Sequence, residues 1–177
     1  MKKIALIFAS SMLLTACSST SEKTLLTSNS NVQTSVAKRV EYSSWLGRLC
    51  HSDCHLEVSV QDEVGLITGQ VPSLEAYNAL SELTANNPSV KKVFNQTTIG
   101  PPVSLSQQSY DSWLTSKVKN ALLFTRGLES DPIKVVSQQD VVYLLGKVPA
   151  SQQKLAIDAA RRVGGVKKVV TLMDLPS

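Results

Sequence analysis

The sequence predicts an α+β fold of two tandem αββαβ units, each a three-stranded sheet with two helices on one face. The main observation is an internal repeat. Residues 58–72 read VSVQDEVGLITGQVP and residues 135–149 read VVSQQDVVYLLGKVP, so both place Gly, a polar residue and Val-Pro at the same offset. The tetrapeptide VKKV follows in each copy, at 90–93 and 166–169. A period of roughly seventy residues is too long for the common solenoid repeats and indicates two small domains.

The first unit begins with a helix that we expect over residues 36–50. Its first strand shows strict alternation, in which Leu56, Val58 and Val60 are interleaved with Glu57, Ser59 and Gln61. After a turn, the second strand spans 65–71. The second helix starts behind Pro72 with Ser73 as its N-cap, and the last strand spans 90–99.

The second unit repeats this order of elements. We expect its first helix over 111–124 and its first two strands over 133–137 and 141–148. The second helix starts behind Pro149, with Ser151 as its N-cap, and it ends at Gly164-Gly165 because glycines terminate helices. The last strand is predicted over 166–172. Gly100-Pro101-Pro102 marks the boundary between the units, so the expected domains are 36–100 and 109–177, joined by a linker over 101–108.

Residues 1–17 have the parts of a secretory signal: two lysines, an apolar run and small residues before a cleavage point. The run ends in Leu-Thr-Ala-Cys, which resembles the bacterial lipobox. This resemblance implies cleavage before Cys17 and lipidation of its thiol; ordinary secretory cleavage is the alternative. It also implies sorting to the outer membrane, because Ser18 follows the cysteine where inner-membrane retention usually needs an aspartate.

Residues 18–35 contain twelve Ser, Thr and Asn among eighteen residues and show no periodic apolar face. Such a segment cannot offset the entropy of ordering. It is predicted to be a flexible tether between the lipid anchor and the folded domains.

The repeated units resemble the BON domain. The matching motifs are Gly-x-Val after the second strand, at 69–71 and 146–148, and Gly-Val-x-x-Val at 165–169. With the lipobox, the arrangement is similar to the dual-BON outer-membrane lipoproteins, and the first copy is the more divergent. The resemblance implies two domains facing the periplasm and a role in envelope integrity that extends to division sites.

Composition argues against two other classes of function. The chain has 177 residues and a formal net charge of +4, of which residues 1–17 contribute two lysines, so the remainder is too weakly basic to predict nucleic acid as a partner. Its two histidines lie close together, and no Ser-His-Asp order, phosphate-binding glycine loop or HExxH motif stands out. We expect no enzymatic activity and no cofactor.

The segment CHSDCH at 50–55 has three interpretations. In an oxidising compartment a disulfide between Cys50 and Cys54 is favoured, because lipidation of Cys17 leaves these two cysteines as an even pair. A zinc site that also uses His51 and His55 is disfavoured, since four ligands in six residues cannot easily reach tetrahedral geometry. Two free thiols are the third possibility.

The first helix of the second unit carries an unusual face. If Leu114, Val118, Ala121 and Leu122 form its core stripe, then Trp113, Lys117, Asn120 and Phe124 centre about 120° away. Aromatic groups beside lysines are typical of helices that lie on a membrane surface, and Lys119 and Leu123 extend this set further round the helix.

The run Asp111-Ser112-Trp113-Leu114-Thr115-Ser116-Lys117-Val118 is similar to that of a lipid-binding member of the family. The resemblance implies that Trp113 contacts anionic phospholipid, phosphatidylglycerol or cardiolipin. The alternative is that Trp113 packs on the first domain. Charge supports a membrane role for the second unit, because residues 18–102 hold six basic and eight acidic residues and residues 103–177 hold ten and six.

We therefore expect an outer-membrane lipoprotein that binds anionic phospholipid with its second domain. One alternative is a periplasmic scaffold whose partners are outer-membrane assembly proteins, with Trp113 as an interface anchor. The other is a stress-related periplasmic chaperone. The sequence does not predict the oligomeric state or how the two domains pack.

Overall fold

The computed structural model describes residues 54–85 and 90–175. The signal segment, the tether, the predicted helix over 36–50 and residues 51–53 lie outside these ranges. The elements are β1 (His55–Gln61), β2 (Val64–Val71), α1 (Leu74–Ala85), β3 (Lys92–Ile99), α2 (Leu105–Leu123), β4 (Lys134–Gln138), β5 (Val141–Lys147), α3 (Ala150–Arg161) and β6 (Lys168–Asp174).

Two three-stranded sheets have the same topology, with strand orders β1-β2-β3 and β4-β5-β6. In each sheet the first two strands form an antiparallel hairpin, and the third is parallel to the second after a helical crossover. The hairpin turns each consist of two residues with positive φ, Asp62-Glu63 and Gln139-Asp140. This conformation matches the twist of the flanking strands. The α+β prediction is confirmed, and the second unit has the full αββαβ order.

A glycine lies at the same place in each central strand because another backbone passes too close for a side chain. Gly146 has a φ of 146°, and a Cβ on it would collide with the carbonyl oxygen of Pro132. Gly69 has a φ of 122°, and a Cβ there would collide with the carbonyl oxygen of His55. These are the glycines of the repeated Gly-x-Val motif. The glycine of the motif therefore allows the backbone at His55 or Pro132 to pack closely against the central strand.

The helix α2 begins at Leu105, six residues earlier than the sequence predicted. Ser104 is its N-cap, and the Ser104 hydroxyl accepts a hydrogen bond from the backbone N–H of Gln107 at 3.2 Å. Part of the segment expected to be a linker is therefore helical.

The predicted N-cap of the second helix is confirmed in the first unit and wrong in the second. The Ser73 hydroxyl accepts a hydrogen bond from the N–H of Ala76 at 3.2 Å, directly before α1. In contrast, Pro149 is the N-cap of α3, and no side-chain hydrogen bond caps this helix. The chain turns helical at Ala150, so Ser151 already lies within the first turn.

The last strand, β6, begins two residues later than predicted. Val166 and Lys167 belong to the turn before it, where their N–H groups donate to the carbonyls of Val163 and Asp140 at 3.2 and 2.9 Å. In β3 the start is likewise shifted, to Lys92.

Each sheet packs its helices on one face. In the second unit, α2 and α3 cover the sheet side formed by alternate residues of β4, β5 and β6. The buried cluster consists of Leu114, Val118, Leu122, Ile133, Val135, Val142, Leu144, Val148, Ala156, Ala159, Ala160 and Met173. In the first unit α1 packs on Ile67 and Val71 through Ala76, Ala79 and Leu80.

The opposite faces of the two sheets pack against each other. A third buried cluster joins Val64 and Leu66 of β2 to Tyr143 and Leu145 of β5, with Val136 and Leu172 beside them. Two polar contacts flank it: the N–H of Lys147 donates to the Asp62 carboxylate at 3.2 Å, and the Lys134 ammonium donates to the Val60 carbonyl at 3.3 Å. The two units are thus joined as a face-to-face sandwich with helices on the outside.

Candidate functional site

The helix α2 buries one side and exposes the rest. Leu114, Val118 and Leu122 are buried against the sheet, and Asp111 is buried with them. Trp113, Lys117 and Phe124 lie on a common flank of the helix, as the 3.6-residue period requires. Phe124 is the C-cap, about three turns beyond Trp113.

Trp113 is half-exposed and held by two neighbours. It keeps 51% of its surface accessible, and its ring centroid lies 5.3 Å from that of Tyr110. The Lys117 ammonium lies 4.3 Å from the Trp113 ring centroid and donates a hydrogen bond to the Gly164 carbonyl at 2.9 Å. A cation over an indole face is attracted by the ring quadrupole. We call Tyr110, Trp113, Lys117 and Phe124 the aromatic face.

Phe124 is the most exposed large apolar side chain of this face, with 83% of its surface accessible. The aromatic face therefore presents a phenyl ring near one end of α2 and an indole in its middle. Trp113 belongs to none of the buried clusters in the described part of the chain. Its exposure favours a surface role over packing on the first domain.

The loop between α3 and β6 lies beside the aromatic face. Lys117 donates to the Gly164 carbonyl in this loop. The Tyr110 hydroxyl lies so close to Gly165 that a Cβ at that position would collide with it. Arg161, Arg162 and Lys168 are exposed around this loop. Lys167 is exposed but forms an ion pair with Asp140 at 2.7 Å, and its hydrogen bond to Asp140 raises the pKa of the Lys167 ammonium.

Lys119 and Leu123 lie elsewhere on the helix. Lys119 is about 120° from Trp113, on the flank of α2 that faces β1 and β4. Burial lowers the pKa of the Lys134 ammonium, the charge of Lys119 lowers it further, and Glu57 opposes both. Leu123 is 60% exposed on the outer side of α2. Of the five predicted lipid-binding residues, the structure groups Trp113, Lys117 and Phe124.

The cysteine cluster is only partly described. Cys54, half-buried before β1, takes part in a disulfide. Cys17, Cys50 and His51 lie outside the described residues, so lipidation and the Cys50–Cys54 pairing stay predictions. His55 is the first residue of β1, and no cluster of metal-ligating side chains occurs within residues 54–85 and 90–175.

Sequence reasoning missed Tyr110 and the structural role of Asp111. Tyr110 is three residues before Trp113 on the same flank, but the predicted helix began after it. The capping-box pattern Ser104-x-x-Gln107 is the signal that places Tyr110 inside the helix. Asp111, the first residue of the predicted helix, lies inside α2, and its carboxylate accepts hydrogen bonds from the N–H groups of Gln139 and Asp140 at 2.9 and 3.2 Å.

None of the helices within residues 54–85 and 90–175 has the length and apolar character that a membrane span requires. The family model of the BON domain matches residues 28–101 and again 110–176. The chain therefore belongs to the BON-domain family and carries two copies of the domain.

Among curated proteins, the chain is similar to the outer membrane lipoprotein DolP of Haemophilus influenzae. The two are 37% identical over 105 residues, which is 59% of this chain and 54% of that protein. The chain thus spans about half the length of this relative. It is also 28% identical, over 137 residues, to a 21 kDa hemolysin of Actinobacillus pleuropneumoniae, covering 77% of this chain and 71% of that protein.

Among solved structures, the chain is similar to the C-terminal domain of CdsD, a structural protein of the type III secretion system of Chlamydia trachomatis. The identity is 9% and the TM-score 0.34, with 75% of this chain and 96% of that chain covered.

Proposed function

We propose that this protein is an outer-membrane lipoprotein whose second BON domain binds anionic phospholipid through the aromatic face. The lipobox at residues 14–17 and the similarity to a protein named as an outer membrane lipoprotein support the location. The observation that carries the lipid contact is Trp113, half-exposed with the Lys117 ammonium 4.3 Å from its ring. The proposed role needs no catalytic chemistry, and maintenance of the envelope, including at division sites, is its expected consequence.

The aromatic face has the chemistry of an interfacial surface. Indole and phenol groups favour the headgroup region because they combine an apolar ring with a polar edge, and the exposed phenyl of Phe124 reaches the acyl boundary. The cationic neighbours meet the lipid phosphates, at about 1 kcal/mol for each lysine or arginine near the surface. Arg161, Arg162 and Lys168 provide such charges beside the face.

Two attachments act together in this proposal. The acyl chains on Cys17 hold the protein to one leaflet, and the aromatic face then meets lipid at high local concentration through the tether. A weak headgroup contact is sufficient under these conditions, because the second binding event is intramolecular. The contact selects the lipid composition at which the protein resides.

Vesicle flotation tests the lipid contact. The chain from Ser18 onward, which lacks the anchor, is mixed with vesicles of phosphatidylcholine alone or with phosphatidylglycerol or cardiolipin. We expect flotation only with the anionic lipids, a loss of at least fivefold in affinity for Trp113→Ala, and weaker binding at higher salt. A fivefold loss corresponds to about 1 kcal/mol, which is the least expected when the Trp113 ring no longer enters the membrane interface.

Leu74→Ala is the matched control, because Leu74 is a similarly exposed apolar residue, 61% accessible, on α1 of the first domain. It should bind as the parent does. Equal binding to neutral and anionic vesicles, or equal losses for Trp113→Ala and Leu74→Ala, would refute the proposal.

A further inference from the structure

A cleft of about 400 Å³ lies between the two domains, along the free edge of β4. Residues 134–138, the whole of β4, line it, with α2 on one side and β1 on the other. Among residues 54–85 and 90–175, β4 pairs with β5 alone, so its other edge has no neighbouring strand there. This cleft lies on the flank of α2 that is turned away from Trp113.

The backbone of β4 directs unpaired polar groups into the cleft. In a hairpin with a two-residue turn, the residues that flank the turn, Gln138 and Val141, form a hydrogen-bonded pair. Farther from the turn, residue pairs with and without backbone hydrogen bonds between the two strands alternate. Val135 and Ser137 therefore point their N–H and C=O groups away from β5. The equivalent of Ser137 in the first hairpin is Val60, whose carbonyl accepts a hydrogen bond from the Lys134 ammonium, in agreement with this alternation.

These outward groups belong to buried residues. Val135 and Ser137 are only 3% and 5% exposed, and no hydrogen bond to their outward backbone groups occurs among the residues that the structure describes. The Ser137 hydroxyl, which also lines the cleft, is buried without a hydrogen-bond partner. Buried backbone and side-chain polar groups are nearly always paired in native proteins. The edge of β4 thus has the polar groups of a strand that lacks its neighbour.

Charge at the cleft favours an acidic partner. The exposed Lys119 ammonium has no ion-pair partner in the described segments, and it lies near the half-buried Lys134. The two carboxylates of the cleft compete little for Lys119. Asp111 is already bonded to the turn after β4, and Glu57 lies on the β1 side, where it attracts Lys134.

We propose that the free edge of β4 binds an extended peptide segment of a partner protein as an added strand, with an acidic side chain of that segment paired to Lys119. Backbone groups of the peptide pair with those of Val135 and Ser137, and its side chains point alternately toward α2 and β1. The five residues of β4 offer about 17 Å of edge. A free phosphate or other small anion pairs with the lysines but leaves the backbone groups without partners, so a peptide fits the observations better.

Fluorescence anisotropy with the whole chain, purified in detergent, tests this proposal. The probe is a pool of labelled, acetylated and amidated pentapeptides with a fixed Val-Glu-Val centre and variable ends. We expect saturable binding below about 1 mM, as is usual for weak peptide recognition. The same pool N-methylated at two consecutive central residues should bind at least tenfold more weakly, because methylation removes the N–H donors of both edges.

Charge reversal identifies the site. Lys119→Glu should weaken binding of the pool at least threefold, and a pool with Val-Lys-Val at its centre should bind Lys119→Glu more tightly than it binds the parent. Lys154→Glu, at an exposed lysine of α3 away from the cleft, is the matched control and should leave binding unchanged. Hydrogen-exchange mass spectrometry should show added protection in the segment that contains Val135 and Ser137.

The proposal is overturned by no binding of any pool at 1 mM, by equal binding of the N-methylated pool, or by equal losses for Lys119→Glu and Lys154→Glu. Competition by inorganic phosphate at equal concentration would also overturn it, in favour of an anion site. Trp113→Ala should leave peptide binding intact. Failure of the lipid proposal is therefore distinguishable from failure of this one.

Discussion

Asp111 shows how one buried side chain connects a helix to a turn. Its carboxylate accepts hydrogen bonds from the N–H groups of Gln139 and Asp140, both with positive φ, and from the side-chain amide of Gln107 at 3.1 Å. Hydrogen bonds to an ionised acceptor are stronger than neutral ones. Asp111 therefore fixes the hairpin turn of the second domain against α2, beside both the aromatic face and the cleft.

Replacing Asp111 with Ala should lower the free energy of unfolding by about 2 kcal/mol, because the N–H groups of the turn lose a charged acceptor. Asp111→Asn should cost less, since its amide oxygen can still accept. Urea denaturation followed by circular dichroism measures both. The control is Asp131→Ala, which removes an exposed aspartate in the loop between α2 and β4. It should change the free energy of unfolding by less than about 0.5 kcal/mol. Equal effects at the two positions would contradict this role.

Individual residues differ in how far the sequence predicts their roles. The repeated glycines are visible as a motif, but the reason for them, the approach of the His55 and Pro132 carbonyls, depends on a neighbouring chain segment. Asp111 is harder to predict, because a carboxylate on a helix is expected to face solvent. Its burial is favourable because the distant turn at Gln139-Asp140 supplies two N–H donors in addition to the nearby Gln107 amide.

At the scale of elements, α2 has two parts with different determinants. From Asp111 onward an apolar stripe specifies the helix, and the sequence predicts that part. From Leu105 to Tyr110 the residues are exposed or half-exposed and lack an apolar period. This first part of the helix depends on the Ser104 cap, because the Ser104 hydroxyl accepts a hydrogen bond from the N–H of Gln107, which has no partner within the helix. Tyr110, which contacts Trp113, lies in this capped first part of the helix.

Ser104→Ala should fray the first turn of α2 and lower the free energy of unfolding by about 1 kcal/mol, because the cap hydrogen bond to Gln107 is lost. Far-ultraviolet circular dichroism and thermal unfolding measure the two effects. Ser109→Ala, at an exposed position within the same helix, is the control and should be neutral or slightly stabilising. If both alanine variants behave alike, the cap does not stabilise the helix.

At the scale of the whole molecule, the two domains share a core. The central strands β2 and β5 are buried on both faces, with helices on one side and the other sheet on the opposite side. Near-continuous apolar runs such as VVYLL are typical of strands with two buried faces. The sequence thus indicates that something covers the second face. It does not show that the covering surface is the other domain, because that depends on how the linker positions one sheet over the other.

Tyr143 allows this shared core to be tested by pH. It is buried in the cluster between the sheets, and burial raises the pKa of its phenol above the ordinary value of 10.0. The folded state favours the neutral phenol. The contribution of Tyr143 to the free energy of unfolding is therefore complete below pH 10, and it is lost as the pH rises through the pKa of the folded state. The unfolded chain ionises first, so the free energy of unfolding falls by at most about 1.4 kcal/mol per pH unit from this group.

Tyr143→Phe removes the ionisable group and keeps the ring. Urea denaturation of the parent and of Tyr143→Phe between pH 8 and 11 isolates the effect, since all other titrating groups are common to both. We expect the difference in the free energy of unfolding between the two proteins to be nearly constant up to about pH 10. Above that pH, the parent should progressively lose stability relative to Tyr143→Phe. Parallel curves over the whole range would mean that the phenol is solvated in solution. The two sheets would then separate readily, and the cleft at β4, whose β1 wall belongs to the other domain, would open with them.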